Sequence, residues 1–390
     1  MGSMVKGKRE GLLIAGGGLS GCLAALAMAR ARPEVPILLV EEGERFGGNH
    51  TWSFFDTDVE AGDRWLLDGL VAHRWQGYYV AFPGHSRRLK TGYASIRSED
   101  LDRLVRERLR PDQYRLGTKI AAVRDNELLL LGGEKIRADG AIDARGAANL
   151  SMLDLGWQKF LGREYRFAMP HGVDRPVVMD ATVDQSDGYR FVYCLPFSET
   201  RMLVEDTYYT DGPELDPAAI GERLDAYLAK RRWQPVEMER QESGVLPVAI
   251  GGDFGSFWRV GGARVAKFGM RGGFFHPTTG YTFPDAVRTA SMLAKQRDLT
   301  GSVLHDVFEA HATQLWKKRD FYRTLNTMLF RAAGPAERYK VLERFYRLDP
   351  ALIERFYAGQ SSMFDRVRIL SGKPPIPIGK AMSALNQRAK

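Results

Sequence analysis

The N-terminal part of the chain alternates short apolar runs with a stretch of small residues. An apolar run at residues 12–15 leads into the glycine-rich residues 16–21, and an alanine-rich segment follows up to residue 29. A second apolar run covers residues 37–40 and ends at Glu41. Short apolar runs bounded by glycine are typical of buried strands. The pattern therefore predicts a strand, a glycine turn, a helix and a second strand parallel to the first.

The glycine spacing in this unit is that of a dinucleotide-binding turn. Gly16 can make the tight turn, Gly18 lets backbone amides approach a pyrophosphate, and Gly21 permits close packing of helix on strand. The helix N-terminus faces the anion, and Glu41 lies where a ribose hydroxyl needs an acceptor. The uncharged residues 11–29 also suggest a signal peptide or membrane span, but four central glycines argue against both. A purely structural glycine turn remains the alternative.

The middle of the chain changes to strand patterns of period two. Strands are predicted at residues 119–124, 127–131 and 140–143, and the last of them runs into Arg145. Two aromatic-rich segments, residues 188–197 and 201–209, are joined by three turn residues and predict an antiparallel hairpin.

These changes of pattern divide the chain into four segments. We expect a dinucleotide-binding domain at residues 5–150, an antiparallel-sheet substrate domain at 151–243, the resumed dinucleotide-binding domain at 244–300 and a basic helical region at 301–390. The fold class is therefore α/β with an α+β insertion. A dinucleotide domain that is interrupted and then resumed resembles the plan of flavoproteins more than that of nicotinamide dehydrogenases.

Two adjacent acids lie in the second strand of the predicted hairpin. With a period of two, Glu205 shares a face with Thr207, whereas Asp206 points to the other face. The two carboxyls therefore cannot enter one cavity. A carboxyl on an aromatic-lined face loses water, which raises its pKa and suits it to general-acid catalysis. A solvated acid on an edge strand is the alternative.

A second glycine-rich segment covers residues 267–285 and precedes a helix predicted from Phe283 onward. Its glycines allow the backbone to approach a flat ligand, and the helix N-terminus aims further amides into the same space. For a flavin, such amides would lie beside the part of the reduced ring that carries negative charge. A glycine-rich connection without a ligand is the alternative.

Composition narrows the classes of function. The apolar share of 44% is sufficient for a large core. Cys22 and Cys194 provide neither a disulfide framework nor a metal-binding spacing, and they favour a reducing, cytoplasmic setting. The seven histidines show no ligand spacing, so we expect no metal site.

The net charge of +8 comes from the C-terminal region, where residues 301–390 carry 16 Lys and Arg against 8 Asp and Glu. Since no nucleic-acid recognition motif accompanies this charge, we expect no nucleic-acid partner. Apolar residues at 321–330 lie beside Lys317, Lys318 and Arg319, a composition that suits a helix on anionic lipid. An ordinary amphipathic helix that packs on its own domain is an equal alternative.

Six motifs follow one another along nearly the whole chain. They are GGGLSG at residues 16–21, GGNHTW at 47–52, LVEDT at 203–207, FHPTTGYTFP at 275–284, VLERFYRLDPALIERFYAG at 341–359 and GKPPIPIG at 372–379. In this order they closely resemble the bacterial lycopene β-cyclases of carotenoid biosynthesis. General flavoproteins lack the central and C-terminal motifs, so the resemblance is specific.

The resemblance implies a Rossmann-like FAD-binding domain of the flavin hydroxylase and prenyl reductase type. It implies an isomerase, or intramolecular lyase, that converts lycopene through γ-carotene to β-carotene without net redox change. FAD is expected to act in its reduced form, with NAD(P)H as the reductant. The enzyme is expected to be cytoplasmic and peripherally attached to the membrane lipid surface.

The same resemblance implies three groups of site residues. The expected catalytic residues are Asp206 and Glu205, the latter as proton donor or, if the flavin delivers the proton, as partner to the cation. The expected substrate-cavity residues are His50, Trp52, Phe275 and His276. The expected cofactor-binding residues are Gly16, Gly18, Gly21, Glu41, Arg145, Thr279, Gly280 and Tyr281.

Two other functions fit the same pattern. An FAD-dependent monooxygenase or prenyl-lipid reductase would use this fold but consume NAD(P)H in proportion to product. A non-catalytic flavoprotein that binds carotenoid or lipid would need no acid at position 205. The sequence leaves the oligomeric state and the number of cyclised ends open.

Overall fold

The computed structural model describes residues 11–71, 73–185, 187–262, 264–372 and 376–388. The strands are β1 (Leu12–Ala15), β2 (Ile37–Val40), β3 (Thr51–Phe55), β4 (His73–Trp75), β5 (Tyr78–Phe82), β6 (His85–Leu89), β7 (Tyr93–Arg97), β8 (Tyr114–Arg115), β9 (Ile120–Val123), β10 (Glu127–Leu130), β11 (Lys135–Arg137), β12 (Gly140–Asp143), β13 (Leu153–Phe167), β14 (Val177–Asp180), β15 (Tyr189–Pro196), β16 (Arg201–Thr210), β17 (Pro235–Gly252) and β18 (Ala266–Lys267). Residues 5–10 of the first predicted segment, and 373–375 of the last motif, lie outside the described residues.

Most of the helices in the described residues lie from residue 283 onward. They are α1 (Leu19–Ala31), α2 (Ser98–Arg108), α3 (Pro217–Arg231), α4 (Phe254–Arg259), α5 (Phe283–Ala294), α6 (Gly301–Lys318), α7 (Asp320–Thr327), α8 (Arg338–Phe345), α9 (Pro350–Tyr357), α10 (Met363–Leu370) and α11 (Ile378–Arg388). A π-helical turn, Met328–Ala332, continues α7.

A parallel sheet has the strand order β18-β12-β1-β2-β8. Its centre is β1, where Leu12 pairs with Gly140 of β12 on one side and with Ile37 of β2 on the other. Helices α1 and α5 pack against each other, and α6 packs along β12 and β18. The predicted strand-turn-helix-strand unit is therefore confirmed. Its glycine turn follows the carboxyl end of the central strand, where open α/β sheets bind ligands.

A second sheet has the order β17-β13-β16-β15-β14-β5-β6 and is antiparallel except where β14 meets β5. Its centre contains the predicted hairpin, in which Tyr189 lies opposite Tyr209 and Tyr193 lies opposite Glu205. Small sheets of order β11-β10-β9 and β3-β7-β4 flank the two large ones. The alternation of aromatic and polar residues thus identified the hairpin correctly.

The second sheet takes strands from both sides of the predicted domain boundaries. Strand β17 crosses the boundary predicted at residue 243, and β5 and β6 come from within the first predicted segment. Hydrogen bonds between strands that are distant in sequence create this sheet, and local composition does not reveal them. The division into four segments remains a prediction.

The C-terminal helices cover the second sheet with the apolar face that was expected to meet lipid. Leu329 and Phe330 are buried in a cluster with aromatic residues of β15 and β16. Arg319 and Arg323 are buried as well. For these buried residues the structure supports the alternative of an amphipathic helix packed on its own domain, whereas Phe321, Leu325 and Met328 are half-buried and their contact with lipid remains a prediction. Among the described residues, no helix combines the length and apolarity needed to cross a bilayer.

Candidate active site

In the loop between β1 and α1, Gly18 leaves space for a ligand, whereas Gly16 and Gly21 are packed against the protein. A methyl group at Gly21 would lie 1.9 Å from the carbonyl oxygen of Gly16, whose own φ is +99°. A methyl group at Gly18 would meet no atom within 4 Å. Gly18 is also the N-cap of α1, and no side chain caps this helix end. Backbone amides of the first turn therefore face open space where an anion can accept their hydrogen bonds.

Glu41 lies beside this loop at the end of β2. Its carboxylate accepts hydrogen bonds from the amides of Gly17, at 2.6 Å, and Gly43, at 2.8 Å. The structure thus brings Glu41 to the glycine loop, as the spacing predicts. Its contact with a ribose remains a prediction.

Arg145 follows β12 and reaches the same loop through its backbone. A methyl group at Gly16 would lie 2.9 Å from the Arg145 Cα atom. The Arg145 guanidinium is turned to Asp143, with Nε–Oδ1 and Nη2–Oδ2 distances of 2.9 and 2.8 Å. The side chain is therefore engaged within the protein, and the backbone is the part that borders the cofactor loop.

The central face of the second sheet forms one wall of a cavity, here called the inner cavity. The opposite wall is formed by residues 50–53 and 279–283. Aromatic and aliphatic side chains dominate the lining, which includes Phe160 and Phe191. The expected site residues that the structure brings together here are His50, Trp52, Glu205, Thr279, Gly280 and Tyr281.

Glu205 projects from β16 into the inner cavity. Its Oε1 atom accepts a hydrogen bond of 2.7 Å from the Thr207 hydroxyl group. Burial, followed by the charge of Glu242, raises the pKa of Glu205 from 4.5 to about 8, although the Thr207 hydrogen bond opposes this shift. A protonated carboxyl at neutral pH can donate a proton to a bound molecule.

Asp206 points away from the inner cavity, as the alternation along β16 predicts. Its carboxylate is buried and receives two hydrogen bonds from Arg190, with Nε–Oδ1 and Nη2–Oδ2 distances of 2.9 and 2.8 Å. The Tyr208 hydroxyl group donates a third at 2.8 Å. The expectation of Asp206 as a second catalytic residue is therefore corrected, because the sheet separates its carboxylate from the cavity.

A chain of hydroxyl groups crosses the cavity wall. Tyr193 donates to the Ser53 Oγ atom at 2.8 Å, and its hydroxyl oxygen lies 3.0 Å from that of Tyr93. The Tyr93 hydroxyl in turn lies 3.4 Å from that of Tyr281. These polar atoms satisfy one another, so the aromatic wall presents few unpaired hydrogen-bonding groups to an apolar ligand.

The loop at residues 275–282 meets the cavity through its second half only. Gly280 has a φ of +67°, and its amide donates to the His276 carbonyl oxygen at 2.9 Å. Tyr281 closes the turn, since its carbonyl oxygen accepts from the His276 amide at 2.9 Å. This turn requires glycine at position 280 and presents Thr279 and Tyr281 to the cavity.

Phe275 and His276 lie behind the cavity wall, which corrects their expected role as substrate contacts. His276 is buried, and its Nδ1 atom accepts from the Thr278 amide at 3.2 Å while its Nε2–H donates to the Phe356 carbonyl oxygen at 3.0 Å. Burial, then the charge of Arg319, lowers the pKa of His276 to about 3. His276 is therefore a neutral residue that holds the loop against α9.

A second cavity, here called the outer cavity, lies beside the inner one. The two share Met179, Tyr209, Thr279 and Tyr357 as lining residues. The rest of the outer cavity is mostly apolar and is formed mainly by the π-helical turn and helices α7 to α11, with Thr278, Asn326 and Arg344 as its polar members. Together the cavities extend from Glu205 to the C-terminal helices.

Glu242 is a cavity residue that the sequence did not indicate. It lines the inner cavity from β17, and burial raises its pKa from 4.5 to about 7 although Arg240 opposes the shift. The sequence predicted a strand only from residue 244 onward, so the period of two that places Glu242 on the cavity face was not apparent. Its position on the same sheet face as Glu205, two strands away, depends on strand pairing that the sequence does not show.

The fold occurs in solved structures of low sequence identity. The geranylgeranyl bacteriochlorophyll reductase-like protein of Thermoplasma acidophilum superposes with a TM-score of 0.57 at 14% identity, over 98% of this chain and 99% of that one. A flavin-dependent brominase superposes with a TM-score of 0.56 at 14% identity, over 97% and 99%. The protein thus has the mixed α/β, Rossmann-like fold of this reductase and halogenase class, and the predicted fold class is confirmed.

Sequence comparison identifies the family within this class. A lycopene β-cyclase of Pseudescherichia vulneris is 42% identical over 373 residues, which cover 96% of each chain. The profile of the family described as "Lycopene cyclase protein" matches residues 11–383. The chain belongs to the lycopene cyclase family, which confirms the resemblance seen in its motifs.

Proposed function

We infer that this protein is a lycopene β-cyclase, an isomerase that closes the linear ends of lycopene into β-rings, first to γ-carotene and then to β-carotene. The observation that supports this function most directly is the position of Glu205. Its carboxyl enters an apolar, aromatic cavity and has a pKa raised to about 8. Family membership supplies the substrate, and the cavity supplies the acid that the chemistry needs.

The reaction begins when Glu205 transfers its proton to the terminal double bond of lycopene, which leaves a tertiary carbocation. The electrons of the internal double bond then form the new carbon–carbon bond of a six-membered ring. Transfer of a ring proton to a base, for which the Glu205 carboxylate left by the first step is available, restores a double bond, so atoms and electrons balance without an oxidant or reductant. Glu205 acts as a general acid in this scheme.

The cavity wall suits a positively charged hydrocarbon intermediate. Trp52, Phe191 and Tyr193 line the space around Glu205, and aromatic faces attract cations. Their apolar surface also excludes water, which would otherwise trap the cation as an alcohol. The same side chains therefore bind the substrate and protect the intermediate.

The residues present fit FAD. Open space at Gly18 and the uncapped start of α1 can receive the pyrophosphate, with Glu41 at hand for a ribose hydroxyl. The turn that Gly280 makes, with a φ of +67°, presents Thr279 and Tyr281 to the inner cavity, where they would border the flavin ring. Reduced FAD supplies a negative charge that stabilises a nearby cation at low dielectric. NAD(P)H is the proposed source of the reducing electrons.

Peripheral membrane attachment is proposed through an exposed apolar face of α10. This face, here called the α10 surface, consists of Met363, Phe364, Val367 and Leu370, and Phe364 is 88% exposed. The four positions share one side of the helix. Arg366 and Arg368 occupy the same helix and complement anionic head groups. Leu370 also lines the outer cavity, so lycopene can pass from the bilayer into the protein.

The function is tested with purified protein, FAD reduced by dithionite under anaerobic conditions, and lycopene in liposomes, followed by pigment analysis. We expect γ-carotene and β-carotene from the wild type. Glu205→Gln should lower the rate about a hundredfold or more while flavin and lycopene still bind. Glu237→Gln, which removes an exposed acid of β17, is the matched control and should cyclise normally.

The two other functions predict different results in the same assay. A monooxygenase or prenyl-lipid reductase would consume NAD(P)H in proportion to product, whereas a cyclase needs only enough reductant to keep the flavin reduced. A carotenoid-binding flavoprotein would form no ring at all. Full turnover by Glu205→Gln would remove Glu205 from the mechanism.

A further inference from the structure

The register of three strands places two carboxyls on the same face of the second sheet. Gly162 of β13 pairs with Glu205 of β16 on one side and with Glu242 of β17 on the other. Residues that are directly opposite one another in neighbouring strands point to the same side. Glu205, Gly162 and Glu242 therefore form a row that faces the inner cavity, and both acids line it.

Glycine at the middle of this row leaves a gap between the two acids. A methyl group at Gly162 would lie 3.3 Å from the Glu205 Oε2 atom and 3.4 Å from the Glu205 Cβ atom. The Glu205 carboxyl thus leans over the glycine, toward the strand that carries Glu242. Any larger residue at position 162 would occupy the space between the two carboxyls.

Charged groups on the far side of Glu242 connect it to the surface. The Arg240 Nη2 atom lies 3.2 Å from Glu242 Oε2, and the Arg240 Nε atom lies 3.1 Å from Oε1 of Glu99, which is 46% exposed. Arg240 also donates to the Thr51 hydroxyl oxygen at 2.7 Å. His50 stands nearby with a pKa that burial and Arg240 lower, so it is neutral at pH 7.

The next acid along β13 is engaged elsewhere. Glu164 is bound by Arg97, with an Nη2–Oε2 distance of 3.0 Å. On the Glu205 side, the neighbouring titratable groups are Tyr193, which is protonated, and Asp206, which lies behind the sheet. Glu242 is therefore the acid that shares the cavity face with Glu205, and Arg240 is the cation next to it.

We propose that Glu242 is a positioning residue for the proton on Glu205: across the gap at Gly162, its negative charge disfavours a second charge on Glu205 and keeps that carboxyl protonated. The proposal rests on the function assigned to Glu205. The two carboxyls titrate as a coupled pair, in which ionisation of either one opposes ionisation of the other.

The test is the pH dependence of cyclisation in Glu242→Gln, measured in liposomes with reduced FAD. Removal of the charge should move the alkaline limb of the rate to lower pH by about one unit, as expected for charges roughly 10 Å apart. Glu242→Asp keeps the charge and should leave the limb in place. Glu237→Gln, on the same strand but outside the cavity, should leave it in place as well.

Infrared spectroscopy of the protonated carboxyl band provides a readout that needs no activity. The band that disappears in Glu205→Gln identifies Glu205, and it should titrate about one unit lower in Glu242→Gln. Because the pKa of Glu242, about 7, is below that of Glu205, about 8, Glu242 ionises while Glu205 is still neutral, so the Glu242 band should keep its position in Glu205→Gln. These variants keep the side-chain size, and flavin binding and the melting temperature verify folding.

An alkaline limb and a Glu205 band that both stay in place in Glu242→Gln would overturn the proposal. A shifted Glu205 band in a protein that never cyclises lycopene would support the carboxyl pair and instead refute the proposed function.

Discussion

Arg319 and Asp285 form a buried ion pair that joins the end of α6 to the start of α5. The Nη2–Oδ1 distance is 2.8 Å and the Nη1–Oδ2 distance is 2.5 Å, and both side chains are almost fully buried. The same guanidinium donates to the Phe275 carbonyl oxygen at 3.1 Å. Asp285 lies in the first turn of α5, where a negative charge also complements the helix dipole. This arginine holds the loop of the active site rather than a lipid.

Arg319→Ala is expected to destabilise the fold by about 3 kcal/mol, because it leaves the buried Asp285 carboxylate with Arg288 as its remaining partner, at 2.6 Å, and removes the hydrogen bond to the Phe275 carbonyl oxygen. Urea denaturation of the purified protein measures the free energy of unfolding. Lys318→Ala removes an exposed neighbouring cation and should change that free energy by less than about 0.5 kcal/mol. Equal effects of the two substitutions would contradict a structural role for the ion pair.

Gly18→Ala and Gly21→Ala should separate cofactor binding from folding. A methyl group at Gly18 has open space in the protein alone, so Gly18→Ala should keep the melting temperature but weaken flavin binding about tenfold or more. A methyl group at Gly21 would collide with the Gly16 carbonyl oxygen, so Gly21→Ala should lower the melting temperature itself. Flavin fluorescence titration and thermal denaturation of both variants measure the two effects. Tight flavin binding by Gly18→Ala would contradict the assignment of the loop.

The cyclisation rate should fall above a pH of about 8. Burial and the charge of Glu242 raise the pKa of Glu205 to about 8, so the carboxyl is protonated below this pH and loses its proton above it. A raised carboxyl pKa also means that the folded state binds the proton more tightly than the unfolded state. The resulting stabilisation is present below pH 4.5 and is lost as the pH rises to about 8.

Cyclisation rates measured from pH 6 to 10 in anionic liposomes, with the flavin kept reduced, test the predicted fall in rate above a pH of about 8. Equilibrium unfolding of the wild type and of Glu205→Gln from pH 4 to 9 tests the predicted loss of stabilisation, since the variant should lack the Glu205 contribution to the pH dependence. A rate that is constant up to pH 10 would show that a group other than Glu205 limits proton transfer.

Substitutions in the α10 surface should weaken binding to lipid. Replacement of Phe364 or Val367 by Ser removes apolar area that would enter the bilayer, and each should lower liposome affinity by about tenfold. Leu131→Ser, at a position that is 68% exposed in the turn between β10 and β11, is the matched control and should bind as the wild type does. Flotation with anionic liposomes at low and high salt measures the apolar contribution and the salt-sensitive contribution of the arginines of α10. Unchanged flotation of both α10 variants would exclude this surface as the attachment site.

Local patterns in the sequence were sufficient to predict the elements that carry the chemistry. The glycine spacing around Gly18 identified the turn at the parallel sheet, and the period of two placed Glu205 and Asp206 on opposite faces. Both properties depend on residues within one turn or one strand, which the sequence displays directly. His50 and Trp52 reached the cavity as the family motif implied.

Properties that depend on partners distant in sequence could not be predicted. The amphipathic pattern at residues 317–331 reveals an apolar and a cationic face. It does not show that Arg319 forms a buried ion pair with Asp285, which lies far away in sequence. The pairing of Glu242 with Gly162 likewise depends on a register set by the whole of β13 and β17. His276 was expected in the cavity because other residues of its motif, such as Thr279 and Tyr281, line it. The backbone turn at Gly280 instead directs His276 away from the cavity, toward α9.

The alternation along β16 limits where the chain can change in length. The turn after β15 is closed by hydrogen bonds from the amides of Phe197 and Ser198 to the Arg201 carbonyl oxygen. An inserted residue inside β16 would exchange the outward and inward side chains, moving the arginine-bound Asp206 toward the hydrocarbon and the proton donor to the outer side. Within this hairpin, an insertion keeps both acids on their faces only if it falls in the turn between β15 and β16. The number of residues from Arg201 to Glu205 is therefore fixed by the need to keep the proton donor on the cavity face.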